Sequence, residues 1–139
     1  MTNEIDLNVR AFLQGIVEWA KNEPYLMALA LVGSYARGEA SPESDVDLIL
    51  LLRNPKEYLK DRDWISEFGE PGPIAQEEWG KITSLRVLYA DGLEVEFGLA
   101  NLEWGSDPID EGDAQVIENG LVVLYEKNGH LSNKLKTFL

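Results

Sequence analysis

The chain has 139 residues, 45% hydrophobic and 27% charged, the balance of a folded domain and not of a disordered one. It has no cysteine, which excludes disulfides, thiolate metal sites and cysteine nucleophiles. With 25 acidic against 12 basic residues the formal net charge is −13, which argues against long nucleic acid as a partner, because phosphate contacts need clustered Lys and Arg. A cationic small molecule or a basic protein surface suits that charge better. The opening MTNEIDLNVR lacks the basic-then-apolar layout of a signal peptide. The longest apolar stretch, Leu26 to Val32, is too short to span a bilayer. The expectation is a single α/β domain over residues 1–139, cytoplasmic, with no membrane partner.

In chain order, Ile5, Val9, Phe12, Leu13, Ile16, Val17 and Ala20 follow helical spacing, and Pro24 stops that helix soon after Asn22. Leu26 to Val32 is continuously apolar and suits a central strand buried on both faces. Tyr35 to Gly38 reads as the first turn of a short helix, broken by Ser41-Pro42. Asp45 to Leu52 is the second strand. Asn54-Pro55 starts a helix, with Asn as cap and Pro in the first turn, leading into KEYLKDRDWISEF. Glu70 to Ile74 carries two prolines around Gly72 and reads as an exposed irregular loop. Ser84 to Ala90 and Leu93 to Ala100 alternate as strands, and Asp91-Gly92 between them signals a two-residue hairpin turn. Gly105 to Gly112 is turn-like, Leu121 to Tyr125 is a final strand, and the tail after Gly129 is a brief helix or a frayed end. These elements make a small mixed sheet with helices mainly on one face.

Side chains alternate along a strand, so Asp45 and Asp47 point the same way while Val46 and Leu48 turn towards a core. Two carboxylates side by side repel unless a cation or a proton neutralises them. A divalent metal is the economical solution, and the Gly33-Ser34 turn beside it is suited to hold a phosphate. In the second hairpin strand, Glu94 and Glu96 share the face opposite Leu93, Val95, Phe97 and Leu99. If that strand packs beside Asp45 and Asp47, a third carboxylate joins the pair, and three carboxylates can hold two magnesium ions. All-oxygen ligands favour magnesium.

The run Gly33-Ser34-Tyr35-Ala36-Arg37-Gly38, with Ser44-Asp45-Val46-Asp47 downstream, resembles the signature of the DNA polymerase beta-like nucleotidyltransferase superfamily. The segments Trp64 to Glu70, Asp91 to Leu99 and Asn119 to Leu131 are similar to streptomycin-type aminoglycoside adenylyltransferases. The likeness covers the nucleotidyltransferase domain over most of the chain. The C-terminal helical domain with which those enzymes help bind the antibiotic has no counterpart within it.

The resemblance implies transfer of a nucleoside monophosphate, AMP from ATP or the equivalent from another NTP, to a hydroxyl, with magnesium as cofactor and pyrophosphate released. The acceptor it implies is a small molecule, aminoglycoside-like ones included. By position, Gly33 and Ser34 cradle the triphosphate, Asp45 and Asp47 bind the metals, and Glu96 is the third carboxylate, as base or second-metal ligand. Glu94 replaces it if the register differs by two. Glu96 stands where the family more usually has Asp. Ser44 either meets a phosphate or caps the approach to the strand, and Arg37 either neutralises phosphate or pairs with a nearby acid. Two rival readings remain: a minimal nucleotidyltransferase antitoxin that binds and adenylylates a HEPN-type toxin protein, and a domain that binds nucleotide without turnover. A homodimer or the toxin partner would complete the half-cleft of so small a domain. His130 reads as a surface residue, Trp64, Trp79 and Trp104 as packing, and Glu77, Glu78, Asp107, Asp110, Glu111 and Asp113 as a solvated acidic rim.

Overall fold

The structure, a computed structural model, describes residues 4–138. The first three residues, part of the leader reading, and the side chain of Ile5 lie outside what is described. Helix α1 (Glu4–Lys21) buries Val9, Phe12, Ile16 and Ala20, which recur every three or four residues on the face turned to the sheet. Strand β1 (Leu26–Val32) follows and is flanked on both sides by other strands. Helix α2 (Gly33–Arg37) begins where β1 stops, two residues ahead of the expected Tyr35, and Gly38 closes it in the left-handed conformation (φ 71°). Strand β2 (Val46–Leu52) opens one residue after Asp45, which therefore sits on the approach to the strand.

The one helix expected after Asn54 is two pieces, α3 (Pro55–Lys60) and a 3-10 helix (Asp63–Phe68). The Asp61 carboxylate accepts the Asp63 backbone N–H at 3.1 Å, a local bond that competes with continuing the helix. The Asn54 side chain makes no capping bond. Of residues 70–74, expected as a loop, 71–74 instead open strand β3 (Pro71–Trp79). β3 lies at the edge of the sheet, where a proline's missing N–H can face solvent, and its register with the next strand is irregular between Pro71 and Ile74.

Strands β4 (Ile82–Tyr89) and β5 (Glu94–Ala100) form the expected hairpin with a different turn. Tyr89 N–H donates to Leu93 O and Gly92 N–H to Tyr89 O, both at 2.9 Å, so the turn is Ala90-Asp91-Gly92, closed by Gly92 at φ 92°. This is the three-residue loop with a left-handed last position and not the two-residue turn. Helix α4 (Glu111–Glu118) starts where a turn was expected to end, capped by the Asp110 carboxylate accepting from Asp113 N–H at 2.8 Å. Strand β6 (Leu121–Glu126) and helix α5 (Ser132–Phe138) complete the described chain.

The six strands run in the order β3-β4-β5-β2-β1-β6, antiparallel except for the parallel pair β2–β5. One face packs under α1, α3 and the 3-10 helix, where Phe97 meets Trp64 edge-on at 5.0 Å and Phe12 at 6.3 Å. Burying one such phenyl group stabilises a fold by about 1.5–3 kcal/mol. The opposite face, from Ala28, Ala30, Ile49 and Leu51, is covered by Val116 of α4 and Leu135 of α5. Helices thus lie on both faces. The second cover is partial, and Trp79 and Leu88 on that face stay 56% and 44% exposed. Among the described residues no helix is long and apolar enough to cross a membrane.

Candidate functional site

The site lies on the partly covered face, and Gly33 sets its first constraint. Its φ of 75° is a conformation that side chains rarely adopt, and a Cβ there would run into the Asp47 Oδ2 atom. Asp47 is paired with Val32, the last residue of β1, so the carboxylate sits directly over the start of α2. Its neighbours Val46 and Leu48 are buried in the aromatic core on the other face, which fixes the side to which Asp47 points.

The parallel pairing of β2 and β5 places Glu96 opposite Asp47. Oxygen atoms of Asp45, Asp47 and Glu96 all lie within 4.8 Å of one another. All three residues are half-buried. Glu94 shares the face one step outward and falls outside that group; desolvation first, then the charge of Asp45, raises its pKa.

Burial, followed by the hydrogen bond and charge of Glu96 and then the charge of Asp45, pushes the Asp47 carboxyl up to about 7, against the opposing pull of Arg86. Its Oδ1 atom is buried without a hydrogen-bond partner. An orphaned carboxylate oxygen within a cluster that resists ionising together is what a divalent cation would satisfy, and the all-oxygen donor set fits magnesium. Asp45, Asp47 and Glu96 are the residues that would hold it.

Arg86 is the residue that sequence reasoning missed. It stands on β4 opposite Glu96. Its Nε lies 3.7 Å from Asp45 Oδ2 and 4.0 Å from Glu94 Oε1, and its Nη2 lies 3.7 Å from Glu96 Oε2. None of these is a hydrogen bond at such lengths. The acids Glu96, Asp45, Glu77 and Glu94 together outweigh desolvation and raise its pKa. The available signal was the hairpin register: a three-residue turn sets Arg86 facing Glu96, whereas a two-residue turn would not.

The other residues divide. Arg37 donates from Nε to Glu39 Oε1 at 2.7 Å and from Nη1 to Asn119 O at 3.3 Å, yet still lines the cleft. Ser44 caps the approach to β2, its Oγ accepting from Ser41 N–H at 2.9 Å. Ser34 follows Gly33 in α2, and its carbonyl accepts from Glu39 N–H at 2.9 Å. A cleft of about 330 Å³ extends from Asp47, Glu96 and Arg86 towards Trp79, Ile82 and Val116. Trp79 is thus an exposed wall of the cleft, while Trp104 is buried and Trp64 stacks on Trp19 at 5.6 Å. His130 is half-buried, its Nε2 3.3 Å from Leu102 O, so it is a packed residue and not a surface one. Asp113 leaves the expected rim: it is 3% exposed and accepts from Gly105 N–H at 2.8 Å.

Comparison with known proteins gives a consistent picture. The family described as "Nucleotidyltransferase domain" matches residues 16–87, a stretch that holds Gly33, Asp45, Asp47 and Arg86 and ends before Glu96. An aminoglycoside 6-adenyltransferase from Bacillus subtilis has a similar fold, with a TM-score of 0.52 and 14% identity over 78% of this chain and 38% of that one. Cid1 in complex with the UTP analog UMPNPP is similar at a TM-score of 0.51 and 18% identity, covering 71% of this chain and 31% of Cid1. The Cid1 poly(U) polymerase crystal structure gives 0.50 and 16%, over 71% and 31%. The chain thus spans 31% to 38% of the length of these proteins. No curated protein matches it.

Proposed function

The chain belongs to the nucleotidyltransferase domain family, and on that premise we propose that it transfers a nucleoside monophosphate, AMP from ATP as the first choice, to a hydroxyl of an acceptor with release of pyrophosphate. The observation that carries this reading is the meeting of Asp45, Asp47 and Glu96 within 4.8 Å, with Asp47 Oδ1 left unpaired. Magnesium, when bound, supplies charge neutralisation for the triphosphate and for the oxygens that gain charge at the α-phosphorus.

The chain's own residues would do the rest. Asp45 and Asp47 hold their carboxylates side by side because β2 is pinned through its opposite face. Gly33 allows the triphosphate cradle, with Ser34, to lie against Asp47 without a side chain between them. Arg37 sits at the cleft wall with its guanidinium already engaged by Glu39, which limits it to a secondary phosphate contact. Ser44 acts through the turn it caps. Glu96 takes the acceptor's hydroxyl proton as that oxygen bonds to the α-phosphorus; the bond to the bridging oxygen breaks and pyrophosphate leaves.

The cleft beyond Glu96 is apolar along Ile82 and Val116 and ends at Trp79. Around it the net charge of −13 favours a cationic acceptor, an aminoglycoside-like molecule among them. The test is a screen of α-labelled NTPs with magnesium against cationic hydroxylated molecules and against cell-lysate protein. Label on a small molecule supports the leading reading. Label on a protein turns it to the toxin-modifying reading, and nucleotide binding with no label anywhere leaves a binding domain. Asp47→Asn is expected to abolish label transfer with an unchanged circular dichroism spectrum; an unchanged rate would refute the mechanism.

A further inference from the structure

Arg86 sits among acids without making a hydrogen bond to any of them. Its guanidinium contacts Asp45, Glu94 and Glu96 at 3.7–4.0 Å, and its Nε is buried with no hydrogen-bond partner. An arginine built to fasten a carboxylate forms a bidentate pair at hydrogen-bond length, and none is formed here. What the residue supplies is charge. Asp45, Asp47, Glu94 and Glu96 converge on one face, with Glu77 contributing from the edge strand, and Arg86 is the cation set among them. Two of the carboxylates it neutralises, Asp45 and Glu96, belong to the cluster whose oxygens could hold a metal.

We propose that Arg86 is a resident counter-cation of the carboxylate cluster, exchanged for the divalent metal when the site loads. The guanidinium and the metal compete for the same two carboxylates, so Arg86 sets how tightly the domain binds metal. It also holds the metal-free cluster together against its own repulsion. The loose contacts suit this role, because no strong hydrogen bond has to be broken before a metal can enter. A positive charge about 6 Å from a divalent ion opposes its binding by about tenfold even with water-like screening.

The proposal rests on the metal reading of Asp45, Asp47 and Glu96, so its test reads metal binding in the absence of nucleotide. Manganese affinity is measured by electron paramagnetic resonance for the wild type, Arg86→Met and Arg86→Lys, together with thermal melts with and without the metal. Arg86→Met should bind manganese about tenfold more tightly and melt lower without metal, with the gap closing once metal is saturating. Arg86→Lys, which keeps the charge, should stay near the wild type in both. Equal or weaker manganese binding by a folded Arg86→Met variant overturns the exchange while the metal site stands. A wild type that binds no manganese overturns both. Should Arg86→Met fail to fold, the wild type alone decides through its Arg86 Nε–H resonance. Saturating magnesium should shift that signal and speed its exchange with water, and an unmoved signal overturns the proposal.

Discussion

Asp45 and Asp47 come from a segment, β1–α2–β2, in which everything that matters lies within about twenty residues of chain. Glu96 and Arg86 come from the β4–β5 hairpin, and they reach the same cleft only because two strand pairings are in register. In the first region the placement of the carboxylates follows from alternation, one glycine and the pairing of neighbouring strands: Val46 and Leu48 go into the core, so Asp47 must go the other way, over Gly33. In the second, a turn one residue shorter would have sent Leu85 or Val87 to face the carboxylates instead of Arg86. A site assembled from both kinds of region has one part that its sequence writes out and one part that its packing writes.

The sharpest way to break this comparison is in the hairpin. Glu96→Gln should lower label transfer by about a hundredfold or more, while Glu94→Gln, one step outward on the same strand, should have little effect. Equal losses would mean that the register between β2 and β5 does not single out Glu96. In the local segment, Gly33→Ala should both slow transfer and destabilise the domain by about 1–3 kcal/mol, read from urea unfolding. Such a variant with wild-type stability would show that the close approach of α2 to Asp47 is not a constraint.

The smallest effect expected is one of pH on the metal-free protein. The folded pKa of Asp47, about 7, lies above its ordinary 3.8. The folded state therefore keeps a proton that the unfolded chain releases. The stability this group contributes is complete below about pH 4 and is lost as the pH rises through 7. Glu96 and Asp45 face it and steepen the loss, and Arg86 moderates it. Thermal melts across that range should show the slope in the wild type and a flatter one in Asp47→Asn, with magnesium flattening the wild type too.

Most of the fold was legible because its signals are periodic. The helix ending near Pro24, the buried strand from Leu26 to Val32 and the alternating β4 and β5 stand as expected. In the local half of the candidate site, the shared face of Asp45 and Asp47 was legible from alternation alone, whereas the meeting of Gly33 with Asp47 needed the pairing of Val32 with Asp47 between β1 and β2. The misses have physical causes. Residues 71–74 looked irregular because proline is scarce in strands, yet an edge strand tolerates it. Helix α4 was hidden because its first turn is acidic and glycine-containing, and the Asp110 cap that starts it resembles any turn residue. Arg86 was passed over because Asp91-Gly92 signals a two-residue turn, and the bonds from Tyr89 and Gly92 that decide for three residues depend on the strands already being paired.

Strand β3 carries a consequence for how the domain behaves in a crowd of its own copies. It is nine residues long and free along one side, a shape that ordinarily templates pairing with another chain. Pro71 and Pro73 offer no N–H, Glu77 and Glu78 add charge, and the Arg62 side chain reaches across to Gln76 at 2.5 Å. Growth of the sheet from this side is discouraged by the same residues that disguise the strand as a loop. The prolines and acids thus suit β3 to an exposed edge beside the hairpin that carries Arg86 and Glu96.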